Sequence, residues 1–202
     1  VGNWGIAIIL LTIIVKLVTL PFVTKSMRSM KTMSLLAPQL KALNEKYKGD
    51  KQRLQMETMN IYKDYGVNPL GGCLPLFLQF PIFIGLYSVL EVAAELRGQS
   101  FWWVRDLAAA DTQGHFMGFP INPLPIIMGL TMVAQMKLTP QPATVDKTQQ
   151  RIFMLMPLVM SATLAFFPSG LVLYWVTNTV LGILQQWNIN RRIGAAAAKA
   201  RS

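Results

Sequence analysis

The sequence predicts an all-α polytopic membrane protein: a bundle of five transmembrane helices, with a cytoplasmic helical hairpin inserted after the first. Three observations carry this. Of 202 residues, 52% are hydrophobic and 14% charged, and the mean hydropathy is +0.39, which shifts the expectation from soluble domain to membrane. The charges leave four long stretches almost or wholly bare, and the Lys and Arg residues gather on one side of them.

The spans follow in order. Residues 1–24 hold one charge, Lys16, and place a span at about 4–22. Residues 65–90 hold none across 26 positions, giving a span at 70–90, and residues 112–136 hold none across 25, giving one at 119–138. Residues 152–190 leave 39 uncharged positions. That is about twice the ~20 residues that cross ~30 Å of hydrocarbon as a helix. The stretch therefore divides into spans at 153–167 and 170–188, with Phe167-Pro168-Ser169-Gly170 as the turn between them.

Orientation comes from counting Lys and Arg. Nine lie in residues 25–65, three in 137–151 and four in the tail after 188, against only Arg97 and Arg105 in the loop 91–118. The positive-inside rule puts 25–65, 139–151 and the tail 189–202 in the cytoplasm, with the first residue and the loop 91–118 outside. The net charge of +10 then reads as a topology and lipid-surface signal, not as nucleic-acid specificity. One cysteine, Cys73, and one histidine, His115, offer neither an intrachain disulfide nor a usual four-ligand metal site, and no cofactor is expected. Residues 1–3 show neither a Met nor the charged region of a signal peptide, so further chain upstream is expected.

Residues 25–65 are too polar to cross a membrane and too regular for an idle loop. Leu36, Leu40, Leu43 and Tyr47 form one apolar stripe, and Leu54, Ile61 and Tyr65 a second, on either side of Lys48-Gly49-Asp50. Two amphipathic helices joined at Gly49 would bury these stripes on each other. Two readings are open: a solvated connector resting on anionic lipid, or a docking arm for a targeting factor or a nascent chain, centred on Leu40, Leu43 and Ile61. Met27, Met30, Met33, Met56 and Met59 suit the second, because flexible thioethers accept varied apolar partners.

Lys16 demands an explanation. A lysine at the centre of a span costs about 2.5–3.5 kcal/mol on insertion scales, so it ordinarily faces water or a polar interior. Alternatively it snorkels, since Phe22 lies six residues on, about 9 Å along a helix. Thr12 shares its helix face one turn earlier. The other spans add Gln79, Ser88, Gln135, Ser161, Thr163, Thr177, Asn178, Thr179 and Gln185, and no acid, to a possible polar interior.

Four blocks carry a resemblance: Thr12-Ile13-Ile14-Val15-Lys16, Val67-Asn68-Pro69-Leu70-Gly71-Gly72-Cys73-Leu74-Pro75, Gln79-Phe80-Pro81-Ile82-Phe83, and Phe167-Pro168-Ser169-Gly170-Leu171-Val172-Leu173-Tyr174-Trp175. In order and over essentially the whole chain, they resemble the YidC/Oxa/Alb family of membrane protein insertases. The resemblance implies a bacterial inner-membrane insertase and chaperone for newly made proteins, working without nucleotide hydrolysis. Its helices would enclose a hydrophilic groove, closed to the exterior and open to cytoplasm and lipid. Lys16 would be the groove's positive charge, and Thr12, Gln79, Tyr174 and Trp175 would help line it. Nascent membrane proteins and the lipid bilayer are the implied partners, with the ribosome, a targeting factor and the Sec translocon as further ones. The chain departs from the family in carrying Lys16 where Arg is commonest, and Trp175 where Tyr is common. A Gram-negative member would carry another span and a periplasmic domain upstream.

Other classes fit less well. A secondary transporter or permease using the intramembrane Lys would be expected to show internal repeats and coupling acids, and an intramembrane protease a nucleophile with a base at span depth. The sequence shows neither pattern, and it has no Walker motif.

Overall fold

The computed structural model describes residues 2–68, 74–92, 96–116, 119–139 and 147–199. Seven helices appear among them: α1 (Trp4–Leu35), α2 (Ala37–Lys46), α3 (Lys51–Asp64), α4 (Leu74–Val92), α5 (Pro123–Leu138), α6 (Lys147–Leu164) and α7 (Ser169–Lys199). Between α4 and α5 a two-stranded antiparallel hairpin pairs β1 (Gly114–Phe116) with β2 (Phe119–Ile121), His115 opposite Pro120.

Asn3 starts α1 from an extended conformation, its side chain accepting from the N–H groups of Gly5 (2.9 Å) and Ile6 (3.3 Å). These are two of the donors that a helix cannot satisfy internally. The helix runs 32 residues through Pro21, about 48 Å at 1.5 Å per residue. The segment expected to leave the first span at residue 25 is therefore a continuation of the same helix. Residues 23–35 contain neither Gly nor Pro to stop it.

By length and composition α1 is the one helix among the described residues able to cross a membrane, while 77–89, 123–138 and 151–164 form shorter apolar helices. At 119–122 the sequence expectation of a span yields to a strand ending at Asn122, and α5 begins at Pro123. Two prolines in this stretch, Pro120 and Pro123, remove backbone donors that a helix there would use. α7 carries Asn178, Gln185 and Gln186 among its apolar residues, and the reason lies in what it touches.

α7 packs between α1 and α5, α6 lies against α5, and α4 touches α1 and α7. The main core gathers at the end where α1, α5 and α7 begin and α4 and α6 finish. Ile8, Leu86, Leu124, Met128, Leu164 and Leu171–Tyr174 meet there with Leu96, Val104 and Leu107 of the loop before β1. Leu107 and Leu171 are fully buried. The loop is stitched to the bundle by backbone bonds from Ser169 N–H to the Ala109 carbonyl (2.8 Å) and from Gly170 N–H to the Leu107 carbonyl (2.9 Å). Asp111, buried at 3% exposure, accepts from Trp103 Nε1 (3.1 Å), Gln113 Nε2 (2.8 Å) and the Leu124 N–H (3.0 Å). Three donors compensate the cost of removing this polar group from water. One end of the bundle is thereby closed.

The outer surface is apolar: Leu17 and Val18 on α1, Phe77 and Ile84 on α4, Leu130 on α5, Val159 on α6 and Leu184 on α7 are each more than half exposed. Soluble monomers rarely show so continuous an apolar exterior, which suits a protein whose solvent is lipid.

The cytoplasmic-hairpin expectation meets α2 and α3, joined through Gly49 at φ +112°, a conformation open to glycine. Asp50 caps α3 by accepting from the Arg53 N–H at 3.0 Å. The buried cluster differs from the expected stripes. Leu36, Leu40, Tyr62 and Val67 form it with Met33 of α1, Ile61 sits at its edge, and Leu43 is half-buried. Tyr65, expected inside, is 53% exposed. A turn after α3 brings the Val67 N–H onto the Tyr62 carbonyl (2.8 Å), so Val67 and Tyr62 occupy the site and Tyr65 is turned out. The hairpin thus shares its core with the end of α1 instead of closing only on itself.

Candidate functional site

Beyond the closed end, α1, α4, α5 and α7 surround a cavity of about 300 Å³. Its polar lining comes from Lys16 and Thr19 of α1, Gln79 of α4, Gln135 and Thr139 of α5, and Asn178 of α7. The half-buried Lys16 donates from Nζ to Asn178 Oδ1 at 3.0 Å. Gly182, one turn beyond Asn178, leaves the space that the Gln135 amide occupies beside Lys16. A Cβ there would lie 3.6 Å from Lys16 Nζ and collide with the Gln135 amide. The threonine hydroxyls are answered within their own helices, Thr19 Oγ1 donating to the Val15 carbonyl and Thr139 Oγ1 to the Gln135 carbonyl, both at 2.9 Å. Among the described residues the lining holds no acid and is completed by apolar side chains such as Val15, Met27 and Ile82, so Lys16 is its one positive charge, set among neutral dipoles and apolar walls.

The sequence-predicted site residues divide into lining and floor. Lys16 and Gln79 line the cavity, and Gln79 Nε2 also donates to the Tyr174 hydroxyl. Tyr174 is 1% exposed and belongs to the closed core. Trp175 packs edge-on against Phe83, ring centroids 5.8 Å apart. Thr12, 1% exposed, spends its hydroxyl on the Ile8 carbonyl at 2.7 Å. Against the expectation of lining residues, Thr12, Tyr174 and Trp175 form the layer under the cavity, one turn nearer the closed end than Lys16 and Asn178. Helix periodicity put Thr12 on the face of Lys16 but could not say where along that face the core stops.

Of the other polar span residues, only Gln135 and Asn178 enter the cavity. Thr163, Thr177 and Thr179 bond to carbonyls four residues back in their own helices, and Ser161 reaches the Pro125 carbonyl between α5 and α6 (2.6 Å). Gln185 Nε2 donates to Thr24 Oγ1 (3.2 Å) and Lys31 Nζ to Asn190 Oδ1 (3.2 Å). With Lys16–Asn178 these make three polar links down the α1–α7 seam, which account for Asn178, Gln185 and Asn190 of α7, while Gln186 Nε2 donates to Asn190 Oδ1 within the same helix (3.3 Å). Thr19 and Thr139 were missed by sequence reasoning. Thr19 carried a signal, standing three residues after Lys16. Cys73 and most of the Asn-Pro-Leu-Gly-Gly block lie outside the described residues.

Comparison with known proteins places this arrangement. A family model described as 60Kd inner membrane protein matches residues 1–196. A protein of Methylobacillus flagellatus named membrane protein insertase YidC is 49% identical over 200 residues, covering 98% of this chain and 34% of that protein. A relative of the same name from Francisella philomiragia is 48% identical over the same shares of both chains. The chain spans about a third of the length of these relatives. A crystal structure titled as an active YidC insertase with its first transmembrane domain resolved superposes with a TM-score of 0.67 at 32% identity, over 91% of this chain and 41% of that one. The chain therefore belongs to the 60Kd inner membrane protein family, that of the YidC membrane protein insertases.

Proposed function

We propose that this chain is the insertase and chaperone core of a multi-pass inner-membrane protein, passing hydrophilic ends of newly made proteins through the groove at Lys16. The observation that carries it is a hydrogen-bonded ammonium in a polar cavity, closed at one end by a hydrophobic core and wrapped in apolar helix faces. In this reading α1, α4, α5, α6 and α7 are the five spans, the closed end faces outward, and the hairpin and tail are cytoplasmic.

The mechanism follows from solvation. A polar segment entering hydrocarbon loses its water, at several kcal/mol for each group left unsatisfied. A cavity lined by amides and hydroxyls shortens that dry path. Lys16 attracts acidic residues of the entering terminus, more strongly in a low dielectric than in water. The apolar segment then leaves the groove for lipid, and the membrane potential assists acidic termini moving outward by about 2.3 kcal/mol per charge per 100 mV. The chain needs no nucleotide for these steps. Nascent membrane proteins are the substrates, and the hairpin, kept folded by Leu40, Leu43 and Ile61, is the docking arm for a ribosome, a targeting factor or a Sec translocon.

The test is reconstitution in liposomes, scoring insertion of short single-span substrates. Lys16→Arg should keep activity, and Lys16→Ala should lower it for substrates with acidic translocated termini. Full activity of the Ala variant across a broad substrate set would overturn the role given to the charge.

A further inference from the structure

On the other side of the α1–α7 seam lies a second cleft, of about 440 Å³. Its middle is apolar, with Leu17 and Leu20 of α1 facing Leu181 and Leu184 of α7; Lys16 borders it near the deep end, and Thr24, Gln185 and Asn188 line it toward the other end, where Arg28 stands. Leu17 and Leu184 are 63% and 56% exposed, so the cleft opens sideways to the surrounding medium. Arg28 is exposed and its guanidinium has no carboxylate partner among the described residues. From Ile13 at the deep end to Arg28 is 15 residues, about 22 Å of helix. Half of a ~30 Å hydrocarbon core plus one headgroup layer amounts to roughly the same depth. The cleft is therefore one leaflet deep, apolar between the leucines of α1 and α7, bordered by Lys16 at its deep end, and polar then cationic toward the height of the phosphates.

We propose that this cleft is a binding site for an anionic phospholipid of the cytoplasmic leaflet, its phosphate on Arg28 and an acyl chain between Leu17, Leu20, Leu181 and Leu184. The guanidinium offers the planar fork that pairs with phosphate oxygens. Basic pockets between helices on the cytoplasmic side are a recurrent place for such headgroups. The lipid would fill the outer side of the seam, whose inner side is the groove and which Lys16 borders from both sides, and so keep α1 and α7 together while the groove is occupied. The inference rests on the membrane placement given above. It does not depend on insertion activity, and it can fail while that activity stands.

Native mass spectrometry of the purified protein, exchanged from detergent containing phosphatidylglycerol or phosphatidylcholine, tests it. Phosphatidylglycerol should be retained at one molecule per chain under activation that strips phosphatidylcholine. Arg28→Ala should reduce retention about fivefold, the factor for roughly 1 kcal/mol from one basic residue near the surface. Leu184→Trp, which fills the cleft and leaves Arg28 in place, should reduce it as well, while Arg53→Ala on the hairpin should not. Equal retention of both lipids, or retention unaltered in both Arg28→Ala and Leu184→Trp, would overturn the proposal. So would photocrosslinking from position 184 to a substrate segment or a second copy of the chain instead of lipid.

Discussion

Replacing Asn178 by Ala removes the acceptor that holds the Lys16 ammonium at 3.0 Å. A hydrogen bond to a charged group is worth about 1.5–3 kcal/mol, and water entering the cavity would recover part of that. A net loss near the lower end, about 1.4 kcal/mol, corresponds to about a tenfold change in the population of Lys16 facing the groove. The side chain has somewhere else to go, because Lys16 borders both the groove and the outer cleft between α1 and α7. Asn178→Ala should therefore slow insertion of substrates with acidic termini by about tenfold when Lys16 is present, and by less than about twofold in a Lys16→Ala background. Asn178→Asp separates position from charge. It keeps the acceptor and the geometry but neutralises the ammonium, so thermal stability should hold while insertion falls as far as in Lys16→Ala. Insertion rates in proteoliposomes for the four members of the double-mutant cycle, with the Asp variant alongside, are the measurement. Equal slowing in both backgrounds would refute coupling between the two residues, and a fully active Asp variant would refute the need for net positive charge.

Three further outcomes are expected. In a Cys73→Ser background, Thr19→Cys and Gln135→Cys should react with a membrane-impermeant maleimide added from the cytoplasmic side, whereas Thr12→Cys in the floor and Val159→Cys on the outer face should not; uniform protection would mean that the cavity is shut to water. Replacing Leu40, Leu43 and Ile61 together by Ser should melt the hairpin, since burial of Leu40 alone is worth about 2–5 kcal/mol. Ribosome-delivered insertion should then fall with membrane accumulation of the protein unchanged, and loss of accumulation would make the hairpin a structural support. Gly5→Val should push the Phe101 ring off α1, because a Cβ at Gly5 overlaps that ring, and should destabilise the closed end by about 1–3 kcal/mol; proteolysis of residues 96–113 at the wild-type rate would contradict this.

Much of the architecture was legible in the sequence because partition between water and hydrocarbon acts on each segment separately. Bare stretches between charges located the apolar helices, Pro168 and Ser169 marked the start of α7, and Gly49 marked the turn between α2 and α3. Lys16 stood out for the same reason, since a charge among apolar neighbours is conspicuous whatever surrounds it in space. Its partner was not legible. Asn178 lies 162 positions away, and nothing local separates it from Thr177 or Thr179, whose hydroxyls close on their own helix. Tyr62 displaced Tyr65 from the hairpin core through a turn three residues later, which a periodic stripe does not contain. The loop that closes the bundle was the least visible element, because Leu107, Val104 and Asp111 follow no helical or strand period. Solvent preference is a property of a segment and can be read along the chain. Which polar group meets which, and where the core ends and the cavity begins, depends on rotation and depth of whole helices against one another, and these are set only when the bundle packs.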